Sequence, residues 1–324
     1  MQGDYTQEEG IRVRGAVEIG ETEECPMNYE ANIKLFVFSK SILPRIKYIF
    51  IDYNRVTMST DPFLVMISRM IDKRDPSQRK RKVDNLTCLK CIITFIKVSI
   101  PWRMLPQLMH LDCSYTTIYK RYAYWVKNRI IEDVWKEVLG IYQSTQMGKS
   151  SRFFNTLFID SSHIRNAQGI DCTGYNALDR NRHNTKISCV CDAAGIVLSC
   201  QFYPSNYSDC LTTEEAVAQL AIDLSLQDMR RRVYLVGDKG YISKRVQEVI
   251  SGVGITLLTP YRKDMKKQPM SKENKKRLKA RVVVEHLFCH LDRYRRFLVR
   301  FEHDCKYFES FHQLAFIEMM KKYV

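Results

Sequence analysis

Three acids set the first question: Asp160 in "LFIDSSH", Asp238 in "VYLVGDKGYIS" and Glu285 in "RLKARVVVEHLFCHL". Carboxylates that come from separate elements and meet at one sheet edge are hard oxygen donors, and such donors suit Mg²⁺ or Mn²⁺. Two ions of this kind about 3.5–4 Å apart activate a nucleophile and stabilise the leaving oxygen in phosphodiester displacement. Gly237 and Gly240 flank the second acid and would let a phosphate backbone approach it. Lys239 between them would offer that phosphate a charge. Each acid also has a plainer role open to it: a helix cap for Asp160, the start of a type I turn for Asp238, and an ion pair with Arg281 one turn earlier for Glu285. Together, in a basic chain, Asp160, Asp238 and Glu285 point to a two-ion site in which they are both metal ligands and catalytic acids.

The elements around them must do the positioning. "FNTLFID" reads as a strand ending at Asp160, and "HNTKISCVCD" and "IVLSCQFYP" as a hairpin closed by the turn "DAAG". "DCLTTEEAVAQLAIDLSL" reads as a helix with acids in its first turn, where the helix dipole favours them. "VYLVGD" is a strand ending at Asp238, followed by a short helix closed by Gly252 and the strand "GITLLTPY". A long helix is expected from about Lys272 to Arg300, with Glu285 beside Val282 and Phe288 on the edge of an apolar stripe. A carboxylate there costs free energy unless it is paired or metal-bound. A final amphipathic helix spans Tyr307 to Tyr323.

Upstream the period is helical. Leu86, Leu89, Ile92, Ile93 and Ile96 make one apolar face of a helix that ends before Pro101, and "PWRMLP" is a rigid connector. Ser114 is placed to cap "YTTIYKRYAYWVKN", with Ile118, Tyr122 and Trp125 on one face and Lys120, Arg121 and Lys127 elsewhere. "IIEDVWKEVLGIY" is a third helix. Three short helices with a basic one among them fit a helix-turn-helix type of DNA reader, with a plain helical bundle as the alternative.

Charge agrees with a nucleic-acid partner. The 324 residues carry a formal net charge of +15, clustered in Lys73–Lys82 and Arg262–Arg281. At 45% hydrophobic the chain can bury a core of one large domain or two ordinary ones. No apolar run approaches the roughly 20 residues of a membrane helix, and residues 1–30 are acidic rather than signal-like. The 11 cysteines are odd in number, so reduced thiols and an intracellular protein are expected. Cys88-x-x-Cys91 with His110-x-x-Cys113 has a zinc-like spacing, although the first pair lies in the helical "LTCLKCIITFI" and suits a core equally.

From about Arg81 to its end the sequence resembles the DDE-type transposases of insertion sequences, in the group that includes the IS-five and IS-four types. The resemblance rests on Asp160 in "LFIDSSHI", on "GDKGY" at 237–241, on Arg281, Glu285 and Phe288 at the family's spacing, and on "PWRMLP" followed by "TTIYKRYAYW". The chain departs from the family pattern at Leu278, Asp292 and Ser99. The resemblance implies an α/β, ribonuclease H-like mixed sheet with flanking helices, preceded by a small all-α helix-turn-helix-type region. The expected layout is an acidic flexible arm at 1–30, a helical DNA-binding region at 31–150 and a catalytic domain at 151–324. It further implies Mg²⁺- or Mn²⁺-dependent cleavage at transposon terminal inverted repeats and strand transfer, on double-stranded DNA, by a homodimer assembled on that DNA. Lys120, Arg121, Lys127, Lys239, Arg281, Arg293 and Arg296 are the expected DNA contacts. The expected compartment is the cytoplasm and nucleoid of a prokaryote, or the nucleus of a eukaryote. Two other readings stay open: a domesticated DNA-binding descendant without activity, and a ribonuclease H-like nuclease without strand transfer.

Overall fold

Seven strands form one mixed sheet: β1 (Thr156–Asn166), β2 (Gly174–Asn176), β3 (Arg182–Cys191), β4 (Val197–Pro204), β5 (Val233–Val236), β6 (Ile255–Leu258) and β7 (Val299–Arg300). A computed structural model describes residues 61–75, 82–149, 155–220, 232–261 and 269–324. The expected arm at 1–30 and parts of both basic clusters lie outside the described residues. β1, β3 and β4 form an antiparallel meander, whereas β5 lies parallel to β1 and β6 parallel to β5. Across the sheet the order is therefore β4-β3-β1-β5-β6, with β2 extending the β4 edge and β7 the β5 edge. This order, with only the second strand of the path from β4 opposed to both its neighbours, is the ribonuclease H-like arrangement expected from the sequence. The turn at Asp192–Gly195 closes the β3–β4 hairpin, with Gly195 at φ +78°.

The helices are α1 (Pro62–Arg74), α2 (Asn85–Val98), α3 (Leu105–Leu108), α4 (Tyr115–Lys127), α5 (Ile130–Lys149), α6 (Asp209–Ala218), α7 (Lys244–Gly252), α8 (Lys272–Lys279), α9 (Val282–Leu291) and α10 (Cys305–Met320). The Asp84 side chain accepts from Thr87 N at the start of α2, and Ser114 accepts from Thr116 N at the start of α4. Ile118, Tyr122, Trp125 and Val126 bury one face of α4, as the period requires. α10 is the hub: Phe308, Phe311, Leu314, Phe316 and Ile317 are all buried, and it packs on α2, α4, α5 and β4. Tyr122 stacks flat on Phe311 at 4.6 Å, and Trp102 of the "PWR" connector stacks on Phe95 at 4.1 Å. One continuous cluster of buried side chains runs from α1 through the sheet to α10. No helix among the described residues is long and apolar enough to cross a membrane.

Two expectations need correction. β1 does not end at Asp160. It runs on to Asn166 because β3 stays paired to it from Phe158 through Arg165, while β5 leaves it after Phe158. β7 rejoins the β5 side only at Arg165, so among the described residues 159–164 lack a strand on that side. The long helix is also broken. α8 and α9 are separated by Ala280 and Arg281, next to the β-branched run Val282–Val284. After Leu291 the chain turns so that Tyr294 and Phe297 reach the core, with Phe297 stacked on His312 at 3.8 Å.

Candidate active site

The gap beside β1 borders Asp160. Asp160 sits half-buried at its start, and its Oδ1 accepts from Ser161 N at 2.9 Å. α9 packs against β1 and brings Arg281 and Glu285 to the same place. Arg281 donates through Nη1 to Asp160 Oδ2 at 2.9 Å and through Nη2 to Glu285 Oε1 at 2.5 Å. Asp238 follows the end of β5, and its side chain accepts from Gly240 N across a one-turn 3₁₀ segment. Burial pushes the Asp160 carboxyl above its ordinary range. The Ser161 N–H and Arg281 pull it back, while the nearby Asp238 and Asp209 push it up further. A guanidinium thus bridges Asp160 and Glu285, and Asp238 lies near Asp160.

The two glycines of "GDKGY" serve the chain's own side chains. A Cβ on Gly237 would lie 2.9 Å from the Tyr241 ring and 3.2 Å from Ile159, so the missing side chain lets Tyr241 pack beneath the site. A Cβ on Gly240 would lie 2.8 Å from Asp238 Oδ1 and 3.3 Å from Asp209 Oδ2.

Asp209, the first residue of α6, escaped the sequence reading, which took it for a dipole acid. Its Oδ1 accepts from Ser161 Oγ at 2.6 Å and from Lys186 Nζ at 3.0 Å. Lys186 is only 4% exposed on β3 and also donates to Tyr207 O at 2.5 Å. Its signal was present in "HNTKISCVCD": a lone lysine in a strand that is otherwise buried demands an anionic partner.

The expected DNA contacts separate into two kinds. Lys120, Lys127, Lys239 and Arg293 are exposed. Arg121 instead points inward, donating to Asn85 Oδ1 and, at 3.4 Å, to Val83 O. Arg296 is 13% exposed, paired with the nearly covered Glu302 and set over the Phe95 ring at 4.7 Å. Arg300, fully buried, donates to Asp171, Thr185 and the carbonyls of Glu302 and His303. Arg296 and Arg300 therefore bind protein rather than facing outward, because the expected helix turns into the core before reaching them.

Among the described residues no three His, Cys, Asp or Glu side chains stand ready-made around a metal ion. Of the acids, Asp160 and Glu285 are both held by Arg281. The donor set itself fits a hard divalent cation: all oxygen, partly buried and anionic in excess. Cys88 and Cys91 are fully buried on α2, and burial, with Cys88 and then Cys113 nearby, pushes the Cys91 thiol up to about 12.

In sheet order and over part of its length the chain is similar to one class, the DDE-type transposases with a ribonuclease H-like fold. The family model described as "Transposase DDE domain" matches residues 183–305, which hold Asp238 and Glu285. Three similar solved structures have low identity. A Mos1 strand transfer complex is 10% identical over 68% of this chain and 79% of its own, with a TM-score of 0.25. A piggyBac transposase synaptic complex with hairpin DNA is 10% identical over 67% and 52%, with a TM-score of 0.32. A Mos1 mariner paired-end complex with Mn is 10% identical over 71% and 85%, with a TM-score of 0.26. At these values the likeness rests on the sheet order and on the family match over residues 183–305. No curated protein matches the chain.

Proposed function

We propose that this protein binds the terminal inverted repeats of a transposon and catalyses metal-dependent strand cleavage followed by transfer of the freed 3′-hydroxyl to target DNA. The observation that supports the reading is Arg281 donating to both Asp160 and Glu285 at the notch where β5 leaves β1, with Asp238 near enough to Asp160 to act on its carboxyl. Asp160, Asp238 and Glu285 would hold Mg²⁺ or Mn²⁺, which supplies charge to the scissile phosphate and to the attacking and leaving oxygens. Arg281 has a planar fork that can grip a phosphate through two donors once it leaves the acids. Lys239, exposed beside Asp238, would draw the phosphate backbone toward the notch. Exposed Lys120 and Lys127 on α4 would contact the DNA end, and two copies would assemble on a pair of ends.

The test uses duplexes carrying the repeats that flank the gene, with Mg²⁺ or EDTA. Wild-type protein should nick and join, and Glu285→Gln should lose both while binding the duplex as before. Lys120→Ala with Lys127→Ala should weaken binding and flatten its salt dependence by about two units of log slope. Metal-independent binding without nicking would leave a DNA-binding descendant, and nicking without joined product would leave a nuclease.

A further inference from the structure

We propose that the lysine face of α8 is a phosphate-binding surface that holds double-stranded DNA alongside the acids, whatever the DNA sequence. This rests on the function proposed above and names the part of the chain that grips the duplex next to the site.

The helix carries Lys272, Lys275, Lys276 and Lys279 at i, i+3, i+4 and i+7, which is one helical face, and all four are exposed. Its other side is fastened. Ser271 caps the first turn by accepting from Asn274 N at 3.1 Å, the Arg277 guanidinium lies over the Tyr234 ring of β5 at 4.1 Å, and Leu278 packs against the core. These attachments turn the lysines outward in a fixed row of about 10 Å, at roughly 1.5 Å per residue. The row leads to the acids, since Lys279 comes two residues before Arg281, which donates to Asp160 and Glu285.

Local electrostatics argue against a face built only for water. Lys272 with Lys276 and Lys275 with Lys279 are like charges at i,i+4, and such pairs destabilise a helix. Lys272 is the first helical residue, at the positive end of the helix dipole. The helix has 8 residues, too few to form in isolation, so nothing in its own length offsets the repulsion. Glu273 is the one acid of α8, and among the described residues no carboxylate pairs with any of the four lysines. Other surface lysines do have acids: Lys97 with Glu318, Lys136 with Glu132 and Lys321 with Asp61. A polyanion would supply the missing counter-charge. Duplex DNA fits in dimension, because it carries one charge per ~1.7 Å of axis and so offers about six phosphates along the row. Ammonium groups that meet phosphates position the duplex without reading its bases.

The experiment is DNA binding by the full chain in EDTA, from about 50 to 200 mM salt. It uses a duplex carrying the flanking repeat and one of unrelated sequence. Wild type is compared with a variant bearing Lys272→Gln, Lys275→Gln, Lys276→Gln and Lys279→Gln, and with one bearing Arg at the same four positions. Gln matches Lys in helix propensity. The Gln variant should flatten the plot of log K against log salt by about two to four units on both duplexes, at about 0.9 per lost phosphate contact. The Arg variant should keep the wild-type slope. Without DNA, the Gln variant should melt no lower than wild type, because repulsion has been relieved. A change in slope below two units overturns this inference, as does a loss confined to the repeat duplex, or a lower Tm, which would mean that the lysines serve the fold. In those cases the catalytic reading stands if the wild type nicks. Failure of the wild type to bind either duplex overturns both.

Discussion

Arg281→Ala should make the stability of this protein depend on divalent cations in a way the wild type does not. The guanidinium is 26% exposed and serves two acids, Asp160 at 23% exposed and Glu285 at 50%. The Glu285 arm is an exposed pair at i,i+4, worth about 0.3–0.5 kcal/mol. The Asp160 arm is better covered, and losing it leaves a half-buried carboxylate beside Asp238 and Asp209, at a cost of about 1–2 kcal/mol. The sum is about 2 kcal/mol, or roughly 4 °C in Tm for a chain of this size. In EDTA the variant should melt lower by that margin. Saturating Mn²⁺ takes over the role of the lost cation, so the gap should close to within about 1 °C. Linkage then requires the variant to bind Mn²⁺ more tightly, by at most about 30-fold, the factor equivalent to 2 kcal/mol. Circular dichroism melts in EDTA and in millimolar Mn²⁺ decide the matter. An equal gap in both buffers would mean that Arg281 and the cation do not share these acids, and the metal reading of the notch would fall.

Other expectations concern the frame. Burial, with Glu132 nearby, pushes the Glu309 carboxyl from its ordinary 4.5 up to about 7. The folded state therefore keeps a proton that the unfolded chain gives up above pH 4.5. Stability should fall as pH rises from about 4.5 to 7, by roughly 2–3 kcal/mol, and Glu309→Gln should remove most of that slope in urea titrations at pH 5 and pH 8. Trp102→Ala should cost about 2–3 kcal/mol, since the ring stacks on Phe95 and lies 6.4 Å from Phe311 of α10. A loss under 0.5 kcal/mol would show that the "PWR" connector does not tie the helices to the hub.

The frame was legible where period and turn chemistry agreed. The apolar face of α4 with its Ser114 cap, the hairpin turn at Asp192–Gly195 and the strands before Asp238 and Leu258 all follow from local signals. The failures came where tertiary contacts overrode local preference. β1 outruns Asp160 because β3 keeps pairing with it, and a sequence shows strand propensity but not which neighbour stops first. The stretch after Leu291 looks helical by composition, yet burying Tyr294, Phe297 and Arg300 against α10 and β1 is worth more than three further helical turns.

The site was legible in a subtler sense. "GDKGY" was recognisable as a unit, yet phosphate approach is not what its glycines are needed for in the fold. Gly237 is small because Tyr241 folds back under it, and Gly240 is small because Asp238 and Asp209 crowd it. The motif thus encodes a packing arrangement, with a buried ring against one glycine and two carboxylates against the other. Asp238 could be found from the motif because the glycines that accommodate it are its sequence neighbours. Asp209 could not, because it arrives from another element and its partners Ser161 and Lys186 lie 48 and 23 residues away. What marked it was the cost it relieves: a lysine buried at 4% exposure in the middle of a sheet must have an acid within reach. Searching a sequence for buried charges in need of partners, and not only for acids in motifs, is the step that would have brought Asp209 into the site.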